Sequence, residues 1–339
     1  MKTALQLGGL ALAVVLAVLA FRDLRWEDVA AAPGGLHWGW LAAGVAVFMG
    51  GYAVRIFRWR MMLRLFVPQA RYRAIAGPFL AAFALNNVAP LRAGDVARSF
   101  AFREQVRAAP SQVTATLVLE RLLDLMSLIL LFAIGLMLLP LGSAWGDALT
   151  AALAPVLLLG VLVLGVPLFV PLRLARLLET IGRRMNWRAG SLPGRVIAFG
   201  RNALNSLAPF RRPALLMRLA ALSLVAWLLE GAMFFAVARA MGLDGLGYGP
   251  MFSLAAATLA TLIPSTPGYI GTFDYGGKLA LMGFGAGDAQ AALHILICHL
   301  IVWVVLTAAG GAYLLRAWGG GALARLRAMR RIQTGEEPR

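Results

Sequence analysis

The 339-residue chain has one cysteine, three histidines and two lysines, and only 14% of its residues are charged. Soluble domains carry about 25% charged residues, so an ordinary soluble enzyme is excluded. Cys298 lies inside an apolar run, which leaves no disulfide framework, CxxC pair or zinc-ligand set. His294 and His299 stand five apart and point to different faces of one helix, so they make a poor metal pair, and no metal or cofactor is expected. The chain also lacks a GxSG-like nucleophile turn, since Ser265 sits in Pro-Ser-Thr-Pro. Gly285-Ala-Gly287-Asp288 matches the GxGD pattern of intramembrane aspartyl proteases. That chemistry needs two facing aspartates, and Asp274 lies upstream across a Gly-rich stretch that reads as a connecting loop. The expectation is a protein that is not an enzyme.

What is abundant is apolar surface. Hydrophobic residues make up 60% of the chain, and apolar runs recur from Ala4 to Leu315 without a long polar block. A spanning helix needs about 20 mainly apolar residues. Six stretches qualify: 4–21, 38–57, 112–139, 150–172, 214–241 and 290–316. The first exceeds the apolar core of about 7–15 residues in a signal peptide, which favours a retained helix. Two further segments, 75–91 and 250–285, are apolar but interrupted by Pro and Gly. The predicted fold class is therefore an all-α polytopic membrane protein with six full spans plus two broken or re-entrant segments, or eight spans. Residues 1–317 form its transmembrane domain and 318–339 a basic cytoplasmic tail.

The formal net charge is +17, carried almost wholly by arginine, because Lys2 and Lys278 are the only lysines. These arginines fall between apolar spans, at 55–73, 92–107, 173–218 and after 316. They read as topology signals and contacts for anionic headgroups, not as a nucleic-acid surface. By the positive-inside rule those segments are cytoplasmic, whereas connections 22–37, 142–149 and 242–249 are external. With six spans this works only if 75–91 enters and leaves from the cytoplasm and 250–285 from outside. The two halves then form a possible inverted repeat, in which broken segments meet near the midplane. Pro90-x-x-x-Gly94-Asp95 and Pro267-x-x-x-Gly271 with Asp274 are a faint echo of that repeat. Tryptophans 26, 38, 40, 59, 145 and 318 cluster near predicted span ends and read as interfacial anchors.

Three constellations stand out. In the first, Asn86-Asn87-x-x-Pro90-x-Arg92-x-Gly94-Asp95-x-x-Arg98 ends an apolar segment. Arg92 and Arg98 could grip a phosphate, with the two amides adding hydrogen bonds; a polar loop with stop-transfer arginines is the bland alternative. In the second, Glu120-Arg121-x-x-Asp124 lies inside a span. Its charges are costly at membrane depth and must find partners. Arg121 reaches Asp124 at i,i+3, or Glu120 or Asp124 pairs with Arg92 or Arg98. The third is the break around Pro264, Pro267, Gly268 and Gly271 with Asp274 beyond it, as gate, counter-ion or helix cap. Glu230 is a lone acid in mid-span with no partner that the sequence names.

At these positions the chain resembles the lysylphosphatidylglycerol synthase transmembrane-region family, also called flippase-like integral membrane proteins. The matching elements are Asn-x-x-Pro-x-Arg-x-Gly-Asp at 87–95, Glu-Arg-x-x-Asp at 120–124, and Pro-x-x-Pro-Gly-x-x-Gly-x-x-acid at 264–274. The resemblance implies a lipid flippase or transporter, expected in a bacterial inner membrane; the positive-inside orientation makes both termini cytoplasmic. The resemblance also implies membrane lipids as partners, together with a lipid-modifying enzyme or glycosyltransferase that the protein could instead anchor or regulate. Cargo candidates are a phospholipid, a polyprenyl-phosphate-linked lipid or, from a hopanoid-associated branch, a hopanoid. Two departures bear on cargo. Tyr269 replaces a common second glycine after Pro-Gly, and Asp274 stands where glutamate is usual.

Overall fold

The computed structural model describes residues 2–139 and 170–334, except 23, 26, 28, 30–33, 90, 91, 186, 188–190, 264 and 265, with side chains from Leu12 to Ala317. Every regular element among them is helical. In chain order the α-helices are α1 (Lys2–Phe21), α2 (Trp38–Leu63), α3 (Tyr72–Val88), α4 (Ala93–Phe100), α5 (Arg103–Val106) and α6 (Pro110–Leu138). They continue with α7 (Pro171–Arg184), α8 (Leu192–Asn205), α9 (Pro213–Ala240), α10 (Gly249–Ala260), α11 (Thr272–Gly283) and α12 (Asp288–Thr334). Proline opens α6, α7 and α9, where the missing N–H costs nothing. At the start of α6, Gln112 Oε1 also accepts a hydrogen bond from the Ala109 N–H at 2.9 Å.

Helices α2, α6, α9 and the Asp288–Ala317 part of α12 are long and apolar enough to cross a membrane. The 20 residues of α1 reach about 30 Å, the thickness of a hydrocarbon core. The expected span 150–172 and connection 142–149 fall almost wholly outside the described residues, as do Pro90, Pro264, Trp26 and Trp145. Each of α10 and α11 has 12 residues, about 18 Å, too short to cross alone. The two pack side by side as a hairpin, the packing that the re-entrant alternative calls for. The segment expected at 75–91 is likewise a hairpin, α3 and α4, turned at Ala89–Arg92.

The halves are antiparallel. The His37 N–H before α2 donates to the Ala240 carbonyl at the end of α9, 2.9 Å away. Farther along α2, Gly44 lies against Ala236 and Met233, Gly51 against Ala226, and Arg58 reaches Ser223. Small residues allow this close crossing where lipid gives apolar helices no reason to associate. Because each hairpin follows the C-terminal end of its central helix, the two hairpins enter from opposite ends of the bundle. Each then packs on the last span of the other half, α3 on α12 and α10 on α6. The packing is that of an inverted repeat. At one of these crossings the Tyr313 ring covers Gly77, and at the other the Phe252 ring covers Gly135.

Four expectations need correction. Helix α2 runs to Leu63 and not 57, and Arg55 and Arg58, read as topology signals, are buried inside the bundle. Trp59 is no interfacial anchor, because it is fully buried and donates from Nε1 to Thr116 Oγ1 at 3.0 Å. Trp38 and Trp40 are exposed as anchors require. The arginine-rich stretch 173–218 is no plain connection. It folds as the helical hairpin α7–α8, whose basic residues Arg173, Arg176 and Arg183 alternate with exposed Leu172, Leu177 and Ile181. Helix α12 also carries its backbone past 317 to Thr334, through the segment expected to be a tail.

Candidate functional site

The charges of α6 fix the interior. Glu120, 1% exposed, accepts two hydrogen bonds from Arg98 at 2.7 and 3.1 Å. The Arg98 guanidinium is itself fully buried, with the rings of Trp59 and Phe79 beside it at 3.9 and 4.4 Å. One turn on, Asp124 is held by Arg58 at 2.5 and 3.2 Å, by the Ser223 hydroxyl at 2.7 Å and by Trp227 Nε1 at 3.2 Å. Glu230 on α9 accepts from Arg55 at 2.6 Å. The same guanidinium lies over the rings of Tyr52 and Trp227, which offer their negative faces where no further acceptor exists. Bidentate pairing and ring faces are what a buried cation needs to offset its desolvation.

The sequence left open Glu120 or Asp124 with Arg92 or Arg98, or a local Arg121–Asp124 pair; of these, Glu120 with Arg98 forms. The expected Arg121–Asp124 pair does not form, because Asp124 turns to Arg58 while Arg121 turns to Asp95 at 3.3 Å and Glu120 at 3.7 Å. Arg98, expected to grip a ligand with Arg92, is instead buried in the core with both terminal nitrogens on Glu120. Arg55 and Arg58 were missed as site residues.

The hairpin tips are built alike. In the first, Asn86 Oδ1 accepts from the Gly94 N–H at 2.8 Å, and its amide donates to Asp95 at 3.2 Å. A Cβ on Gly94 would lie 1.8 Å from the Ala82 carbonyl oxygen, so only glycine lets α3 and α4 close up here. In the second, Gly271 has φ +93° and its N–H donates to Asp274 Oδ2 at 2.9 Å. Asp274 therefore does cap α11, and it does more: Asp274 Oδ1 lies 2.6 Å from His299 Nδ1 on α12. Asp95 and Asp274 are each the third residue of their helix. Arg121 and His299 are each the twelfth of the span that follows. The two halves thus place a contact between an aspartate and a nitrogen-bearing side chain at the same position.

Between the tips lies a cavity of about 280 Å³. Its apolar wall includes Leu125, Leu128, Leu262 and Trp303, and its polar groups include Asn86, Asn87, Arg92, Arg121, Tyr269 and His299. Asp124 and Glu230 reach its lining as well. Arg92 Nε donates to the Tyr269 hydroxyl at 3.0 Å, so the two tips touch directly. Asn87 ties the first tip to α12 through the Trp303 carbonyl and the Thr307 hydroxyl, at 3.3 and 3.1 Å. Among the described residues, Arg92 forms no ion pair, whereas Arg55, Arg58, Arg98 and Arg121 each have a carboxylate. Asp288, the acid of the GxGD match, lies 3.2 Å from Lys278, while Asp274 is engaged with His299. The two aspartates thus serve different partners.

The arrangement can receive a small anionic group in a mostly apolar chamber, with one uncommitted guanidinium at its rim. Comparison with curated proteins and with solved structures finds no match. A family model does match, over residues 6–310, and those residues contain both hairpins, all the buried ion pairs and the cavity. That family has a lipid-related function in the membrane, and the chain, a multi-pass membrane protein, belongs to it: the lysylphosphatidylglycerol synthase TM region.

Proposed function

We propose that the protein is a lipid flippase, a transporter and not a catalyst, that carries an anionic lipid from one leaflet of the bacterial inner membrane to the other. The observation that carries this reading is Arg92, exposed at the cavity, bonded to Tyr269 and without a carboxylate. A guanidinium with open donors is the group best suited to phosphate. A chamber of about 280 Å³ suits a headgroup, with the acyl chains left in the bilayer. Arg121, Asn86 and Asn87 add donors along the same wall. Because the tips approach from opposite ends, separating either one from the cavity opens a path to one leaflet only, which is the logic of alternating access.

In this reading the arginine-rich ends of the spans, and both termini, face the cytoplasm. Membrane lipids are the partners, and a lipid-modifying enzyme or glycosyltransferase would supply or consume the cargo. The experiment is leaflet exchange of a fluorescent phosphatidylglycerol in proteoliposomes. Exchange faster than in protein-free vesicles, and slowed by Arg92→Ala, is the expected result. Equal rates with and without protein would end the proposal.

A further inference from the structure

His299 has both ring nitrogens engaged. Nε2 lies 2.8 Å from the Gly268 carbonyl, which can only accept, so Nε2 carries a hydrogen. Nδ1 lies 2.6 Å from Asp274 Oδ1. If Asp274 is ionised, that contact needs a second hydrogen on the ring; if His299 is neutral, it needs the hydrogen on the carboxyl. Either way the closed arrangement contains one proton more than an ionised aspartate beside a neutral histidine. We infer that the Asp274–His299 pair is a proton-binding site, and that its proton is taken up together with the anionic headgroup in the cavity.

The consequence of losing that proton follows from hydrogen-bond roles. A neutral imidazole has one N–H, and the charged acceptor Asp274 holds it more strongly than a carbonyl does. The Nε2 lone pair then faces the Gly268 oxygen at 2.8 Å, and the two repel. Gly268 belongs to the tip that carries Tyr269, and Tyr269 holds Arg92. Protonation thus latches the second hairpin to α12, and deprotonation releases it beside the headgroup site.

Other charged or titratable groups around the pair are accounted for. Helix α9 contributes Glu230 and α2 contributes Tyr52, while α6 contributes Asp124 and Arg121. The tips contribute Arg92 and Tyr269. On α11, Tyr275 adjoins Asp274, and Lys278 lies one turn on and reaches Asp288; on α12 His294 and Cys298 precede His299. The described side chains of α1 bring none as far as Phe21. Arg55 and Arg58 neutralise Glu230 and Asp124. Adding a proton to the pair therefore makes the chamber more positive, and proton and anion favour each other. The protein would move them in the same direction.

This rests on the flippase reading for its cargo, but its test does not need transport. The full chain, labelled with ¹⁵N-histidine, is placed in phosphatidylcholine nanodiscs with and without phosphatidylglycerol. His299 is followed by NMR from about pH 5 to about pH 8, the range in which imidazole changes charge. A change in the His299 protonation signature is expected, with its midpoint raised by phosphatidylglycerol by about one pH unit, a tenfold coupling. Exposed His37 serves as the control for surface charge. Asp274→Asn can satisfy the closed hydrogen bonds without the extra proton, because its amide donates to Nδ1 while its carbonyl accepts from Gly271. That variant should hold His299 neutral across the range.

A His299 signal that titrates alike in both proteins, or a midpoint that moves no more than that of His37, overturns the inference. In proteoliposomes, a gradient of about one pH unit should bias the labelled lipid between leaflets by up to about tenfold, and Asp274→Asn should remove the bias. Exchange that is active but indifferent to the gradient in the wild type would also overturn it. Absence of any exchange, with the NMR result intact, would strike the flippase reading alone.

Discussion

Arg92 and Tyr269 both hold left-handed backbones, φ +52° and +61°, at the facing tips of the two hairpins, and a 3.0 Å hydrogen bond joins their side chains. The left-handed region costs a residue with a Cβ about 1–2 kcal/mol. Two such residues in direct contact show that each tip is held in shape by the other. The resemblance had marked Tyr269 as a departure from glycine, and the contact gives that departure a purpose. Tyr269→Phe keeps the ring and removes the acceptor. The expected result is a stability loss of about 1 kcal/mol in thermal unfolding, and slower lipid exchange. Combined with Arg92→Ala, the stability losses should fall short of their sum, because both changes break one contact. Full additivity would show the tips to be independent.

Arg92 and Arg98 lie six residues apart and should fail in opposite ways. Arg98→Met leaves Glu120 buried without its cation, a loss of about 3–5 kcal/mol that thermal unfolding in detergent would reveal. The double change Arg98→Met with Glu120→Met removes both charges and should recover most of that loss. Arg92→Ala sits at the exposed rim and breaks only the Tyr269 contact, so it should cost no more than about 1 kcal/mol while lipid exchange falls. If Arg92→Ala destabilises as strongly as Arg98→Met, its role is structural.

Gly94 and Gly77 should also be unequal. A Cβ on Gly94 would meet the Ala82 backbone carbonyl at 1.8 Å, and neither helix can yield without breaking the Asn86 contact. On Gly77 the obstacle is the Tyr313 ring at 2.2 Å, a half-buried side chain able to turn. Overpacking costs about 1–3 kcal/mol and more where backbone must move. Gly94→Ala should therefore lie at or beyond the top of that range and Gly77→Ala near its bottom, as judged by unfolding of the two variants side by side.

How much of this was legible depends on which signal a residue sends. Helical spans and broken segments could be read because 60% hydrophobic composition and clustered Pro and Gly act locally. That an acid of α6 would pair with Arg92 or Arg98 was legible because a buried acid demands a nearby cation, but which acid took which arginine was not. Arg55 and Arg58 were hidden, because the positive-inside rule treats arginine at a span's end as a topology mark. The missed clue was periodicity: Tyr52, Arg55, Ile56 and Trp59 recur at i, i+3, i+4 and i+7 on one buried stripe. His299 was weighed only as a metal ligand. Its signal lay in the repeat, since Asp95 precedes Arg121 by 26 residues and Asp274 precedes His299 by 25. Contacts between halves, such as Arg92 with Tyr269, carry no local mark and need the fold.

The antiparallel halves make a prediction about sidedness that the tips themselves cannot test, because both tips meet at the cavity and lie at similar depth. The outer ends of the hairpins are the informative places. Arg107, exposed between α5 and α6, marks the end from which the first hairpin enters. Asp244, exposed between α9 and α10, marks the end from which the second enters. Its ion pair with Arg239 is on the surface, so losing it costs little. With buried Cys298 replaced by alanine, single cysteines at these two positions should react with an impermeant maleimide from opposite sides of inside-out and right-side-out vesicles. Arg107→Cys should label from the cytoplasmic side, where its arginine neighbours belong. Labelling of both from one side would mean that the halves are not inverted in the membrane, and the assignment of one tip to each leaflet would fall with them.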